Sequence, residues 1–532
     1  MIVEPILIGL DIGNTSLKAV AFTTSGRVVA RVSQSTRPLK SANIRVHGLH
    51  FKGLMDPKGL ADAAVSLLAL VREGVERTGA SRDAIRGVAV TGMGGPMVAL
   101  DSRNKPIYPV VDLWPVDVRD TPLDEADPSF YSTTGYHQHN SPFVTMAWLA
   151  QCDPARFASV ASILPVITWV GLVLTGTAIA DPSTASGTGI WDQRHGTWAK
   201  DIIQSTAVPL SCFPPVQPAG TTLGMLRSDL RELAGLPATV TVAIGGHDYL
   251  CAAGALGITQ PGTVLNMLGT FEIFATPRLS GPVAQTDLDL IHDTHVYPET
   301  HALMFQVIGG GHLEWLRRML TGGLDEPLSI AQWSRILERA EMLRDEDMVD
   351  LVFAPFLFGR FFPERCVHPH GALLGLSERH GPEHLARAMI DALSYIGMEA
   401  LNTLQAVSNE AISKIVLTGG GIQNHLWVQR KADFLQKTLY VPTIADTSSL
   451  GAAMLAGMSI GIYKSWDEAA ATVDIDWQEI APQAPIHPQY LDQFVRWDDV
   501  SPNACAHTVD LSRRIAQELF DRSNAEPTPP RQ

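Results

Sequence analysis

Ile244-Gly245-Gly246-His247-Asp248 ends an apolar, β-branched run (Val240, Val242, Ile244) in two glycines that deliver one carboxylate. The alternation before it reads as a strand. The small apolar segment after it, Ala252-Ala253-Gly254-Ala255-Leu256-Gly257, reads as a close-packed helix. A side chain at such a corner stands at the carboxyl edge of a sheet, where open α/β sheets bind their ligands. Asp248 is therefore the leading candidate for chemistry. An aspartate also suits a helix N-cap, so the corner alone does not separate the two roles.

Working outward, 532 residues exceed one core and suit two domains. The composition, 45% hydrophobic and 18% charged, is that of a globular protein rather than a disordered or repetitive one. A net charge of -15 argues against nucleic acid or an anionic membrane as partner. An anionic cofactor must then be held by local backbone amides and a metal. The cysteines Cys152, Cys212, Cys251, Cys366 and Cys505 are odd in number and far apart, which predicts free thiols in a reducing compartment and no zinc. The start, Met1-Ile2-Val3-Glu4-Pro5, lacks a basic leader region, so the expected location is cytoplasmic. From Phe157 to Ala180 no residue is charged, but Pro165, Gly171 and Gly176 interrupt the run, and it reads as a buried helix and turn, not a span.

Toward the N-terminus, two apolar runs between Ile6 and Phe22 flank a Gly-Asn-Thr-Ser turn, and a third strand follows Ser25-Gly26. This hairpin offers the Asp11 carboxylate beside backbone amides and the hydroxyls of Thr15 and Ser16, a set suited to a phosphate and magnesium; a plain hairpin uses the same residues. Residues 59 to 78 form an amphipathic pattern. Val88 to Thr91 is a strand broken by Gly92-Met93-Gly94-Gly95-Pro96, where a backbone can approach a ligand or simply turn. Trp114, Asp117 and Arg119 follow; on an extended strand Asp117 and Arg119 face one way, toward one polyhydroxy ligand or as a surface ion pair.

Toward the C-terminus, Gly269-Thr270 echoes Gly13-Asn14-Thr15 and hints at an internal duplication. Gly309-Gly310-Gly311 opens a helix, and Thr418-Gly-Gly-Gly-Ile-Gln-Asn424 repeats the strand, glycine turn and helix. The Leu385, Met389, Leu393, Ile396, Ala400, Leu404 stripe is core. Two groups, Cys366/His368/His370 and Asp287/Asp289/His292/Asp293/His295, lack the ligand count and spacing of zinc and calcium sites and are read as structural. The Pro-rich end from Ser523 reads as frayed.

Taken in order, Asp-Ile-Gly-Asn-Thr-Ser at 11–16, Trp114 with Asp117 and Arg119, Leu174-Thr-Gly with Asp181 and Ser183, Gly-Gly-His-Asp at 245–248, Gly269-Thr270, Gly309-Gly310 with Trp315, and Thr418 to Asn424 with Ser449-Leu-Gly-Ala-Ala453 resemble the FGGY carbohydrate kinase family. The likeness covers roughly residues 6 to 465. It implies an α/β fold of two actin-like ATPase (ribonuclease H-like) domains with a cleft between them: 1–254, 255–500, and a C-terminal helix and polar tail at 501–532. It implies ATP and Mg2+ as cofactors and a small sugar or polyol as substrate. By that likeness Asp248 is the general base, and Asp11 with Asp248 holds the metal. Gly13, Asn14, Thr15, Lys18, Gly269 and Thr270 meet the phosphates, while Gly310, Glu314, Gly420, Gly421 and Asn424 line the nucleotide cleft. Gly94, Trp114, Asp117, Arg119, His247 and Asp248 meet the substrate.

Two departures bear on the substrate. Many pentulose kinases of the family carry Gln-Met-His-Gly where this chain has Gly92-Met93-Gly94-Gly95, so a sugar-contacting histidine is missing from that loop; His247 is a candidate replacement or a structural residue. The Gly-Glu-Arg-x-Pro signature is altered to Gly359-Arg-Phe-Phe-Pro363. Three readings follow: a kinase of a sugar, polyol or sugar acid; a phosphatase or ATP hydrolase on the same fold; and a non-enzymatic nucleotide-binding module. The Asp248 corner and the Trp114/Asp117/Arg119 group favour the first. A homodimer is compatible with the sequence, which does not determine oligomeric state.

Overall fold

The computed structural model describes residues 4–36, 39, 44–46, 49–51, 54–111, 129–282, 288–321, 327–359, 371–492 and 494. Trp114, Asp117, Arg119, the Cys366/His368/His370 group and the segment 501–532 lie outside the described residues.

Two sheets with the same succession of strand directions organise the chain. The first runs, edge to edge, Val28–Ser35, Ser16–Thr23, Ile6–Ile12, Ile85–Gly92, Thr241–Ala243, Thr222–Met225. Its first three strands in sequence are an antiparallel meander, the next two lie parallel to Ile6–Ile12, and the last is antiparallel. The second sheet repeats this with His301–Ile308, Phe271–Arg278, Thr263–Leu268, Lys414–Thr418, Leu439–Pro442 and Trp477–Ile480, adding Ile291–Thr294 at one edge. The echo of Gly13-Asn14-Thr15 in Gly269-Thr270 thus marks equivalent turns, each joining the first and second strands of its sheet. The repeat is chemically unequal. Thr91 and Thr418 each stand before the glycine at the carboxyl end of the fourth strand, and their ladder partners are Asp11 and Met267 respectively. Only the first sheet carries a carboxylate there.

Helices cover the outer faces. Pro57–Arg77 buries Leu60, Leu67, Leu68, Val71 and Val75; Asp56 caps it by accepting the Lys58 and Gly59 amides, and Pro57 suits the first turn. Pro382–Ser408 buries Met389, Leu393 and Leu404 against the second sheet. The charge-free stretch resolves into strand Ser162–Pro165 and helix Val166–Thr175, which ends at left-handed Gly176. Among the described residues no helix is long and apolar enough to cross a membrane.

The two sheets meet through a helix pair. Asp248–Ala255 and Thr447–Ser459 each follow the fifth strand of their sheet and pack on one another. A Cβ at Gly451 would lie 2.0 Å from the Cys251 carbonyl oxygen, so only glycine permits the contact. Although Thr447–Ser459 belongs to the second half of the chain, it rests on strands Ile6–Ile12 and Ile85–Gly92 of the first, and a Cβ at Gly9 would meet the Ser449 oxygen at 1.8 Å. One apolar cluster joins Leu7, Val20 and Phe22 of the first sheet, Leu265, Ala275 and Val416 of the second, and both helices.

Candidate active site

The parallel register brings three strand ends together. Asp11 lies opposite Thr91 in the ladder, Gly92 bridges to His247, and the Thr91 hydroxyl donates to the Gly246 carbonyl at 2.8 Å. Asp11, Gly92–Gly94 and Gly246–Asp248 therefore share one carboxyl edge, the ligand edge of such a sheet. The glycines are steric necessities: a Cβ at Gly245 would sit 1.8 Å from the Val90 oxygen.

Asp248 is not a helix cap. The cap position falls on His247, and Asp248 is the first helical residue, with Oδ1 accepting the Tyr249 amide at 2.7 Å. Burial first, and the Asp11 carboxylate second, push its pKa up to about 7; the Tyr249 amide and Lys18 oppose them. Burial likewise raises Asp11 to about 6, opposed by Lys18 and reinforced by Asp446. Asp11 Oδ1 is buried and accepts no hydrogen bond among the described residues. A buried, unpartnered carboxylate oxygen beside a second carboxylate is a donor set suited to a hard divalent cation.

His247 fills the space that a side chain at Gly94 would need: a Cβ there would come within 2.5 Å of the imidazole. Its amide donates to Ser183 Oγ at 3.0 Å, its Nε2 is 3.6 Å from Asp248 Oδ1, and burial lowers its pKa to about 4, leaving the ring neutral. Its Nδ1 is buried, with Asp293 Oδ2 4.0 Å away and no hydrogen-bond partner among the described residues. Asp293 in turn accepts from Tyr136 at 3.0 Å, Ser186 at 2.9 Å and Tyr249 at 2.8 Å, and burial raises its pKa to about 6. Asp293 and Asp181, whose carboxylate receives the amides and hydroxyls of Ser183 and Thr184, were not legible as neighbours of His247; the fold brings them there from distant segments.

Of the expected phosphate residues, Gly13, Asn14 and Thr15 form the turn after Asp11, and the Thr36 amide and hydroxyl donate to the Thr15 and Asn14 carbonyls. Lys18 lies opposite Asp11 in the hairpin. At the second sheet's carboxyl edge, Gly309, Gly310 and Gly311 amides donate to Gly269 and Thr270 carbonyls at 2.9 to 3.2 Å, and Gly419, in a left-handed conformation, abuts Leu268. Gly269, Thr270 and Gly310 thus meet at one turn, Gly421 packs on Leu268 beside it, and Gly420 opens the short helix Gly420–Gln423 that follows Gly419. Asn424 caps helix His425–Leu435, its Oδ1 accepting the Trp427 amide at 3.1 Å. Glu314 is paired on its own helix with Arg317 at 3.2 Å and Arg318 at 3.1 Å.

Twin sheets, glycine turns at both carboxyl edges and the half-buried carboxylates of Asp11 and Asp248 define a phosphotransferase of the actin-like class. Residues 6–257 match the N-terminal domain model, and residues 265–460 the C-terminal domain model, of the FGGY family of carbohydrate kinases. The chain belongs to that family. It is 25% identical over 517 residues to the autoinducer-2 kinase of Salmonella choleraesuis, covering 93% of each chain. It is 22% identical over 515 residues to the xylulose kinase of Staphylococcus epidermidis, covering 96% of this chain and 99% of that one. The crystal structure of xylulose kinase from Rhodospirillum rubrum superposes with a TM-score of 0.77 at 25% identity, covering 93% of this chain and 99% of that chain.

Proposed function

We propose that this carbohydrate kinase transfers the terminal phosphoryl group of Mg-ATP to a hydroxyl of a short ketose, polyol or sugar acid, with Asp248 as general base. The observation that carries the reading is Asp248 itself: a partly exposed carboxyl, its side chain 28% accessible, whose pKa is raised to about 7 at the ligand edge beside Asp11. A base works best with a pKa near the operating pH, so that it is ionised yet basic enough to take the hydroxyl proton.

The Tyr249 amide holds one Asp248 oxygen, leaving the other for the acceptor hydroxyl. Asp11, with its unpartnered Oδ1, and Asp248 would hold magnesium, which when bound supplies charge neutralisation for the phosphates. Gly13, Asn14, Thr15 and Lys18 from one half, and Gly269 and Thr270 from the other, orient the phosphates. Gly310, Gly420, Gly421 and Asn424 receive the rest of the nucleotide, Glu314 acting through its arginine-paired carboxylate. Such a site supplies alignment and charge rather than covalent help.

His247 stands as the acceptor-contacting histidine that the 92–95 loop lacks, because its ring occupies the volume above Gly94. Trp114, Asp117 and Arg119 complete the acceptor contacts in this reading, and domains 1–254 and 255–500 close over both substrates. The test is acceptor-dependent ADP release across pentuloses, hexuloses, tetritols, pentitols and aldonates, with D-xylulose and autoinducer-2 included because relatives act on them. D-xylulose is expected to be poorer than another member of the panel; if it is best by a wide margin, the argument from the missing histidine is wrong. If no acceptor raises ADP release, the substrate class is wrong.

A further inference from the structure

Lys18 is the cation whose field reaches both reactive carboxylates, since it opposes the pKa rise of Asp11 and of Asp248 alike. What holds its ammonium comes from the other end of the chain. Asp446 stands at the N-cap of helix Thr447–Ser459, where an aspartate ordinarily accepts an amide of the first turn; here its side chain caps nothing. It is turned instead toward the first sheet. Arg31 on strand Val28–Ser35 grips it as a fork, Nε to Oδ2 at 2.7 Å and Nη2 to Oδ1 at 3.1 Å, and Lys18 Nζ lies 3.5 Å from Oδ1. The Asp446 side chain is 5% exposed, Lys18 29% and Arg31 53%.

The two contacts differ in kind. A bidentate guanidinium fixes the plane of the carboxylate, whereas an ammonium at 3.5 Å is tethered by charge but not tightly hydrogen-bonded. We propose that Asp446 is a positioning residue of the second half that, locked by Arg31, holds Lys18 over the Asp11 turn so that its ammonium is ready for the terminal phosphate of the nucleotide. Asp446 gives up its cap to do so, and the helix N-terminus is retained by packing of Ser449 on Gly9. The arrangement also makes the phosphate contact of the first half depend on a residue of the second, so that the lysine is aimed only when the halves are joined.

The proposal rests on the kinase reading, and nucleotide binding separates the two. Calorimetry with Mg-ATP and Mg-ADP on the full chain measures the preference for the extra phosphate. Asp446→Asn is expected to cut the ATP-over-ADP affinity ratio roughly tenfold, about the weight of one charge-assisted hydrogen bond, with ADP affinity unchanged within about twofold. Lys18→Met should give the same selective loss, and the double variant no more than either alone, because both act through one ammonium. Asp446→Glu should restore most of the ratio. Simple relief of anionic repulsion predicts the opposite sign, a higher ratio in Asp446→Asn. A raised or unchanged ratio, equal losses for both nucleotides, or additive losses with Lys18→Met each overturn the assignment while leaving the kinase reading intact. Wild-type protein that binds neither nucleotide overturns the kinase reading and this proposal with it. Should Asp446→Asn fail to fold, Asp446→Glu against Lys18→Arg reads the same coupling.

Discussion

At Asp248 one side chain carries both a catalytic expectation and a cost. As base it acts chiefly in the transition state, so Asp248→Asn is expected to lower kcat by roughly 10²- to 10⁴-fold while nucleotide affinity stays within a few-fold. Near-normal turnover in that variant would sink the assignment. The same carboxyl is pushed up to about 7 from the ordinary aspartate value of 3.8, so in metal-free buffer the folded protein binds a proton that the unfolded chain releases. Its contribution to stability is present at low pH and lost as pH rises through about 7. Asp248→Asn should therefore melt above wild type at pH 8, with the difference shrinking toward pH 5; calorimetric melts showing a flat or reversed difference contradict it. Gly94→Ala probes the neighbouring claim. Its Cβ would push the His247 ring, and acceptor kcat/KM is expected to fall roughly ten- to a hundredfold with nucleotide affinity retained. Asp11, Gly94 and Asp248 were legible in sequence because glycines mark where a strand end must let a ligand or a backbone approach. Asp293 and Asp446 were not, since each acquires its role from a partner at least 44 and 415 residues away.

Elements were legible where a period spoke clearly. The amphipathic helix read at 59–78 is Pro57–Arg77, and the core stripe from Leu385 lies on Pro382–Ser408. Pairing was not legible: Met97–Leu100, which follows the break at Gly92–Pro96, leaves the main sheet and pairs with Ser162–Pro165. Nothing in Thr447–Ser459 announces that its partner is the first sheet, because Ala and Gly positions suit any close approach. That contact makes a sharp prediction. Gly9→Ala places a methyl inside the Ser449 carbonyl and should cost about 3 kcal/mol or more in chemical denaturation, the upper range for overpacking. A second buried element pair behaves differently. Lys431 and Glu272 are fully buried and paired, with Asn266 donating to Glu272 Oε1 at 2.9 Å. Lys431→Met strands the Glu272 charge and should cost roughly 3–5 kcal/mol, most of it recovered by adding Glu272→Gln. Equal destabilisation in the single and double variants would show that packing, not charge, sets the loss.

Across the whole molecule, the two halves share a sheet plan but not a chemistry, since Met267 stands where Asp11 does. Mg-ATP and acceptor together are expected to draw the halves inward, lowering the radius of gyration in solution scattering and protecting the chain from protease; identical profiles with and without ligands contradict closure. The helix pair between the sheets has a further consequence, in the order of synthesis. Strand Ile6–Ile12 leaves the ribosome early, yet the helix that covers it, Thr447–Ser459, is translated more than 400 residues later. At roughly 5–20 residues per second that is a delay of about 20–90 s. During it the face bearing Leu7 and Gly9 has no native cover, so the nascent chain is a natural client of holding chaperones, and a fragment ending near residue 257 should aggregate unless the remainder is supplied alongside it.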